Sequence, residues 1–337
     1  SMALAMTWNG AEGDTKTAMQ KTLKLDGYSD KEINEYYKKL REALLKTDPS
    51  TRLAMANSIW TNQNVQIKNE FKNLNKEYFN SQVESVDFSK PETAGHINKW
   101  AADNTNNIID HVMDKTDPMD LMYLLNALYF KGIWTSQFDK DDTAQKPFYT
   151  EGGGSENVDM MHQKADFNYN ENQTLQIVQL PYGNQAFSML VLLPKEGKKL
   201  TDITGMLQGE SVYMNLKSGM REMEVNLHLP KFKTEYTTRL NDALINMGMS
   251  IAFNPGIADF SRMSDAEAFI SFVDQFTYIS TDEVGTEAAA VTVIGMELTS
   301  YQPPQLITFN ANRPFIYIIQ ENYTGSILFM GAVKKFS

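Results

Sequence analysis

The spacing of apolar residues changes period several times along this chain, and each change marks an element. Residues 1–12, SMALAMTWNGAE, begin in the middle of an apolar run with no capping residue ahead of it. Asp14 is placed to cap the helix carrying Ala18, Met19 and Leu23. Ser29 or Asp30 opens a longer helix with Ile33, Tyr37, Leu40 and Leu44 on one face. Ala56 to Trp60 reads as a strand, and Phe71 to Phe79 as a helix turning Phe71, Leu74 and Tyr78 inward. Leu124 to Trp134, LLNALYFKGIW, is an apolar strand with one polar residue, Asn126, and an end marked by Gly132.

Gly152 to Gly154 is a flexible turn, and Val158 to Met161 and Ile177 to Pro194 supply further strands. Tyr182-Gly183-Asn184 is a hairpin signal inside the second of these. From Arg313 to Phe336, apolar segments flank Asn322 and Gly325, which predicts a buried hairpin. No internal repeat or low-complexity linker interrupts the chain, so the pattern describes one domain.

Composition narrows the partners. The chain has 337 residues, and 42% hydrophobic content is ample for a large core. A formal net charge of −11 argues against a nucleic-acid or anionic-membrane surface, which needs clustered Lys and Arg. With no cysteine there is no disulfide framework, thiolate nucleophile or Cys-ligated metal, and the compartment stays open. No run of about 18 apolar residues is present.

Nor does a reacting constellation emerge. His96, His111, His162 and His228 are scattered, with no His-Glu-x-x-His spacing and no Gly-x-Ser-x-Gly elbow, so each reads as a surface or packing residue. Gly152-Gly153-Gly154-Ser155 lacks the lysine of a phosphate loop. Asp139, Asp141 and Asp142 lack the glycine and distal glutamate of a calcium loop and read as a solvated turn. An independent active site therefore has little support, and no enzyme activity, metal or cofactor is expected.

One stretch stands apart in composition. Glu283 to Thr292 reads EVGTEAAAVT, with an acidic, flexible start in Asp282, Glu283 and Gly285. Thr286, Ala288, Ala290 and Thr292 then share one parity, and Glu287, Ala289 and Val291 the other. A strand points alternate side chains to opposite faces, so one face is uniformly small and the other carries the single charge, Glu287. Small residues on one parity suit a strand that slides into a sheet already packed beneath it. An Ala-rich helical turn or a linker is the plain alternative.

GTEAAA at 285–290, with Glu283 before it and Thr292 after it, resembles the hinge of the reactive-centre loop of the serpins. Further blocks similar to that family lie along the chain in family order. They are INKWAADNT (Ile97 to Thr105), LLNALYFKGIW, the run through Phe138, Thr143 and Phe148, LPKFKTEY (Leu229 to Tyr236) and INMGMSIAFNPGIADFS (Ile245 to Ser261). The resemblance implies an α+β chain: one serpin domain over 1–337, with three β-sheets, surrounding helices and an exposed reactive-centre loop at 283–304. Its hinge would be 283–292. It also implies a start inside the family's second helix, so that the first helix and first short strand are missing, and it suggests a bacterial member.

For function, the resemblance implies inhibition of a serine protease as a suicide substrate, with the cleaved loop entering the main sheet. Non-inhibitory serpins that act as carriers or chaperones are the alternative, and they tend to have bulky or charged hinges. By resemblance Asn126 lies in the shutter beneath the main sheet, Gln275 stands where the family commonly has histidine, and Trp134 lies in the breach where insertion begins. From the residues alone, Asn126 is a polar residue tolerated on a solvent-facing strand and Trp134 a core aromatic. The family's usual distance from the hinge glycine puts the reactive bond between Thr299 and Ser300, flanked by Met296, Leu298 and Tyr301. No Lys or Arg occurs from Val284 to Asn312, so a trypsin-like pocket finds nothing to pair with. The expected target is elastase-like or subtilisin-like, with chymotrypsin-like or papain-like enzymes as further candidates. A monomer acting outside the cell, in a periplasm or at a cell surface is expected.

Overall fold

The computed structural model describes residues 2–207, 210–286 and 306–336. By contact the chain falls into two compact units: Ser1–Lys46, Leu53–Tyr129 and Glu235–Tyr278 form one, and Thr47–Arg52, Phe130–Thr234 and Ile279–Ser337 the other.

The first unit opens with helices α1 (Met2–Trp8), α2 (Gly13–Thr22) and α3 (Asp30–Lys46). Asp14 does not cap α2; the N-cap is Glu12, and Asp14 lies in the first turn, where its charge meets the positive end of the helix. Ser29 does open α3, through a capping box. The Glu32 carboxylate accepts from the Ser29 amide at 2.8 Å and its hydroxyl at 2.6 Å, while the Glu32 amide donates back to Ser29 Oγ. Strand β1 (Arg52–Asn62) is followed by α4 (Asn69–Phe79), β2 (Ser81–Val86), α5 (Glu92–Asn104) and β3 (Met122–Ile133). The inward stripe of α4 is Phe71, Asn75 and Phe79, and Leu74 and Tyr78 are only half-buried. Asn75 is tolerated inside because its amide donates to the Phe71 carbonyl one turn back. One cluster packs α1 to α4 through Met6, Trp8, Met19, Ile33, Phe71 and Phe79. A second joins Trp60, Phe88, Ile97, Trp100 and Tyr123. Strand order in this unit is β2-β1-β3, with β1 and β2 parallel.

The second unit contains β4 (Ala144–Tyr149), β5 (Ser155–Glu171), β6 (Leu175–Tyr182) and β7 (Phe187–Pro194), then α6 (Leu200–Leu207), α7 (Glu210–Ser218) and β8 (Arg221–Pro230). β9 (Phe232–Arg239) begins in this unit and β10 (Asp274–Thr281) ends in it. β11 (Gly285–Thr286), β12 (Ile307–Asn310), β13 (Phe315–Glu321) and β14 (Ile327–Val333) complete it. Eight of its strands form a sheet ordered β12-β8-β5-β6-β7-β13-β14, with β4 added to β5. β7 and β13 have neighbours on both sides, and every residue of each is buried, including polar Ser188, Gln320 and Glu321 beside the apolar runs 189–193 and 315–319. The C-terminal hairpin forms as expected. Its second strand has one neighbour among the described residues, and it leaves Ile327 and Met330 exposed while burying Phe329 and Val333.

The three sheets implied by the family resemblance are gathered into two hydrogen-bonded networks among the described residues. β5 causes this, because its 17 residues carry β4 at one end, β8 through the middle and β6 at the other end. The second network runs through the last residues of β3, which take β11 as neighbour, and β11 has β10 on its other side.

Candidate functional site

The chain leaves β10 through a tight turn. The Asp282 carboxylate accepts from the Val284 amide at 2.9 Å and the Gly285 amide at 3.2 Å, and the Asp282 amide donates to the Gly285 carbonyl at 2.9 Å. The expected flexible start is therefore a fixed turn, because a short acidic side chain satisfies two amides that would otherwise need water. The turn delivers β11 beside β3, with Gly285 opposite Ile133 and Thr286 opposite Gly132, while Thr281 of β10 lies opposite Thr286. Only glycine fits at 285. A Cβ there would stand 2.1 Å from the Gly132 carbonyl oxygen and 2.8 Å from Ile133 Cα, both backbone atoms.

Thr286 is 1% exposed. Its hydroxyl lies 2.8 Å from the Tyr182 hydroxyl, which comes from the end of β6. The Tyr182 ring stacks on Trp134 with centroids 4.4 Å apart and planes 12° from parallel. Burial pushes the Tyr182 phenol up, so it stays a neutral hydrogen-bonding group. Trp134 in turn holds the turn before β11: its indole N–H donates to the Asp282 carbonyl at 2.9 Å, and its amide to the Val284 carbonyl at 2.8 Å. Trp134 is thus both a core aromatic and a support of the segment that leads into the small-residue stretch. Gly132 clears the space, since a Cβ there would meet the Tyr182 ring at 2.8 Å.

Glu283 departs from its expected role in an acidic, mobile start. It is 3% exposed, and its carboxylate accepts from Lys231 Nζ at 2.6 Å and Thr143 Oγ1 at 2.8 Å. Its backbone carbonyl accepts from the Phe138 amide at 2.9 Å. Burial alone would raise this carboxyl, but the hydrogen bonds from Lys231 and Thr143 and the lysine charge outweigh it and hold it below the usual range. A buried carboxylate without such partners would be costly. Sequence reasoning named Thr143 and Tyr182 for other reasons and passed over Lys231. A lone acid between small and apolar residues, with a lysine after a strand-ending proline, was the available signal.

Asn126 and Gln275 lie in the first unit. Asn126 is exposed on β3, as a solvent-facing polar residue should be, yet its amide donates to Asn57 Oδ1 at 2.8 Å. Asn57 is buried and donates to the Phe79 carbonyl at 2.7 Å. Asn126's partner is thus a residue the sequence did not single out, and Gln275 is exposed on β10. Glu287, Ala288, Ala289, Ala290, Thr292, Met296, Leu298, Thr299, Ser300 and Tyr301 lie outside the described residues. Two of the scattered histidines come together: His162 of β5 and His228 of β8 are cross-strand partners with rings stacked at 4.6 Å. His162 Nε2 lies 2.7 Å from Asn226 Oδ1, and Lys146 Nζ lies 3.4 Å from His228 Nδ1.

The family model described as Serpin (serine protease inhibitor) matches residues 1–335. An uncharacterized serpin-like protein of Thermococcus kodakarensis is 35% identical over 337 residues, covering 99% of this chain and 78% of its own length. The native state of the thermophilic serpin tengpin superposes with a TM-score of 0.90 at 33% identity, covering 99% of this chain and 86% of that one. Thyroxine-binding globulin in complex with thyroxine gives a TM-score of 0.85 at 26% identity, covering 99% and 89%. The chain belongs to the serpin family, whose members are in general inhibitors rather than enzymes.

Proposed function

We propose that this serpin is a single inhibitory domain that traps a serine protease as a covalent acyl complex, by inserting its cleaved loop between β3 and β10. The observation that carries the reading is β11: Gly285 and Thr286 already occupy a strand position there, buried, with Thr286 hydrogen-bonded to Tyr182. Residues that follow on the same parity, Ala288, Ala290 and Thr292, are small enough to continue that strand without displacing what lies beneath. Insertion from Thr286 to Leu298 spans roughly 40 Å at about 3.3 Å per residue.

In this mechanism the protease nucleophile attacks the reactive bond, the acyl-enzyme forms, and the severed loop extends β11 as a full strand. The ladder hydrogen bonds and burial gained drive the motion, as when any extended segment adds to a sheet as a new strand. The tethered protease is carried off before deacylation. The bond is placed at Thr299–Ser300, flanked by Met296, Leu298 and Tyr301, and the partner is an elastase-like or subtilisin-like enzyme met outside the cell by a monomer. A papain-like cysteine protease is the second class of target.

A non-inhibitory carrier role is the competing reading, and the similarity to thyroxine-binding globulin favours it. The small hinge residues favour inhibition. Thermal unfolding before and after quantitative loop cleavage separates the two. Inhibition requires a rise well beyond the about 2–4 °C that 1 kcal/mol gives in a large domain, and an unchanged midpoint contradicts it.

A further inference from the structure

Tyr182 can hold Thr286 only while the turn that carries it is fixed, and part of that fixing comes from a carboxylate remote from β11. Asp48 lies between α3 and β1 and is 4% exposed. Its Oδ1 accepts from the Ser50 amide at 2.9 Å and the Ser50 hydroxyl at 2.7 Å, and its Oδ2 from the Thr51 hydroxyl at 2.7 Å and the Asn184 amide at 3.3 Å. Asn184 returns a hydrogen bond from its side chain to the Thr47 carbonyl at 3.0 Å. Burial alone would raise the Asp48 carboxyl, but these four neutral donors outweigh it and hold it ionised below the usual range.

The turn is pressed against this carboxylate. Gly183 has φ +47°, and a Cβ there would stand 2.3 Å from Asp48 Oδ2 and 2.1 Å from Ser50 Oγ. From the opposite side, the Gly183 amide donates to the Ile133 carbonyl at 2.8 Å, and its carbonyl accepts from the Thr135 hydroxyl at 3.0 Å. The Thr135 amide donates to the Pro181 carbonyl at 2.9 Å. Tyr182 is therefore bracketed: both flanking residues are tied to the segment 133–135, at and just past the end of β3, and Gly183-Asn184 is also tied to residues 47–51.

We propose that Asp48 is a positioning residue for β11, a buckle that fixes the 181–185 turn so that the Tyr182 hydroxyl meets Thr286 and keeps the first two loop residues seated. A carboxylate is needed because it has about four acceptor positions and no donor. An asparagine in its place offers one acceptor oxygen and turns an N–H towards the other donors. The Thr51 hydroxyl can rotate to accept it, but the Asn184 amide is left unanswered. The seat of β11 does not depend on inhibition. The consequence for trapping does rest on the inhibitory reading: a looser seat slows strand extension, and more of the acyl-enzyme hydrolyses first.

The test is hydrogen exchange at the Val284, Gly285 and Thr286 amides in the whole chain, in Asp48→Asn, Tyr182→Phe and the double variant. Asp48→Asn is expected to speed exchange at these amides about fivefold, the factor equivalent to one lost hydrogen bond of about 1 kcal/mol. Tyr182→Phe does the same, and the double variant is no faster than either, because the two act in series. Thr51→Val removes one donor, and as a milder change it gives a smaller increase at the same amides. Unchanged exchange in both Asp48→Asn and Thr51→Val overturns the proposal. So does full additivity in the double variant, or an equal rise across β6 and β7, which marks general loosening. With a protease that the unmodified chain traps, Asp48→Asn raises the cleaved share about fivefold. Absence of trapping by the unmodified chain contradicts the inhibitory reading, and the exchange result still decides the role of Asp48.

Discussion

Replacing Thr286 by arginine tests the seat of β11 where it is most constrained. The side chain is 1% exposed, its polar neighbour is the Tyr182 hydroxyl, and the nearby Glu283 carboxylate is committed to Lys231 and Thr143. A guanidinium there is a buried charge without a partner, and breaking such pairing costs about 3–5 kcal/mol. Orphaning the Tyr182 hydroxyl adds about 1–3 kcal/mol. Even 3 kcal/mol is more than a hundredfold in the competition between insertion and hydrolysis. Thr286→Arg should therefore be cleaved as a substrate, with little trapped protease. Thr286→Val keeps the shape and loses one hydrogen bond, so its effect should be intermediate. Glu287→Arg, on the opposite parity, should do far less. The assay is a titration of active protease with each variant, read on a denaturing gel for complex against cleaved inhibitor. Near-unit trapping by Thr286→Arg would refute the reasoning, and so would equal damage from Thr286→Arg and Glu287→Arg.

Two further outcomes follow from the buried charges. The Glu283 carboxyl is held below its ordinary range in the fold, so its contribution is complete above that range. It is lost as pH falls through the folded value, because the unfolded chain takes the proton first; protection at Val284 to Thr286, measured against the intrinsic exchange rate at each pH, should fall on acidification in the unmodified chain and much less in Glu283→Gln. His228 is pushed down to about 4 by burial and by the charges of Lys146 and His162, so it stays neutral while the unfolded chain protonates near 6.5. Stability should fall as pH drops from about 6.5 to 4, measured by denaturant unfolding, and a slope unchanged in His228→Gln would contradict this.

Most of the fold was legible because period and burial coincide. The α3 face, the apolar β7 and β13 and the C-terminal hairpin all follow from residues that bury themselves at a regular spacing. Misreadings arose where a polar side chain finds a partner far along the chain. Asn75 takes the inward position of α4 from Leu74 through a bond to its own helix, which no apolar pattern reveals. Glu283 read as part of an acidic, flexible start because Lys231 and Thr143, its partners, lie 52 and 140 residues away. The small parity of 286–292 was visible from composition, but the stack of Trp134 on Tyr182 that receives Thr286 exists only once β3 and β6 are folded. Asp48 gave no signal at all, since an Asp before Pro and Ser reads as an ordinary turn.

The central claim is that loop cleavage drives insertion and traps the protease. The most direct measurement mixes the intact chain with an elastase-like or subtilisin-like serine protease, boils the mixture in detergent and weighs the products by mass spectrometry. The account predicts a covalent species with the combined mass of protease and cleaved chain. It also predicts a released C-terminal fragment beginning at Ser300, or within Glu297 to Gln302. Complete cleavage with free, fully active protease and no covalent species would contradict it.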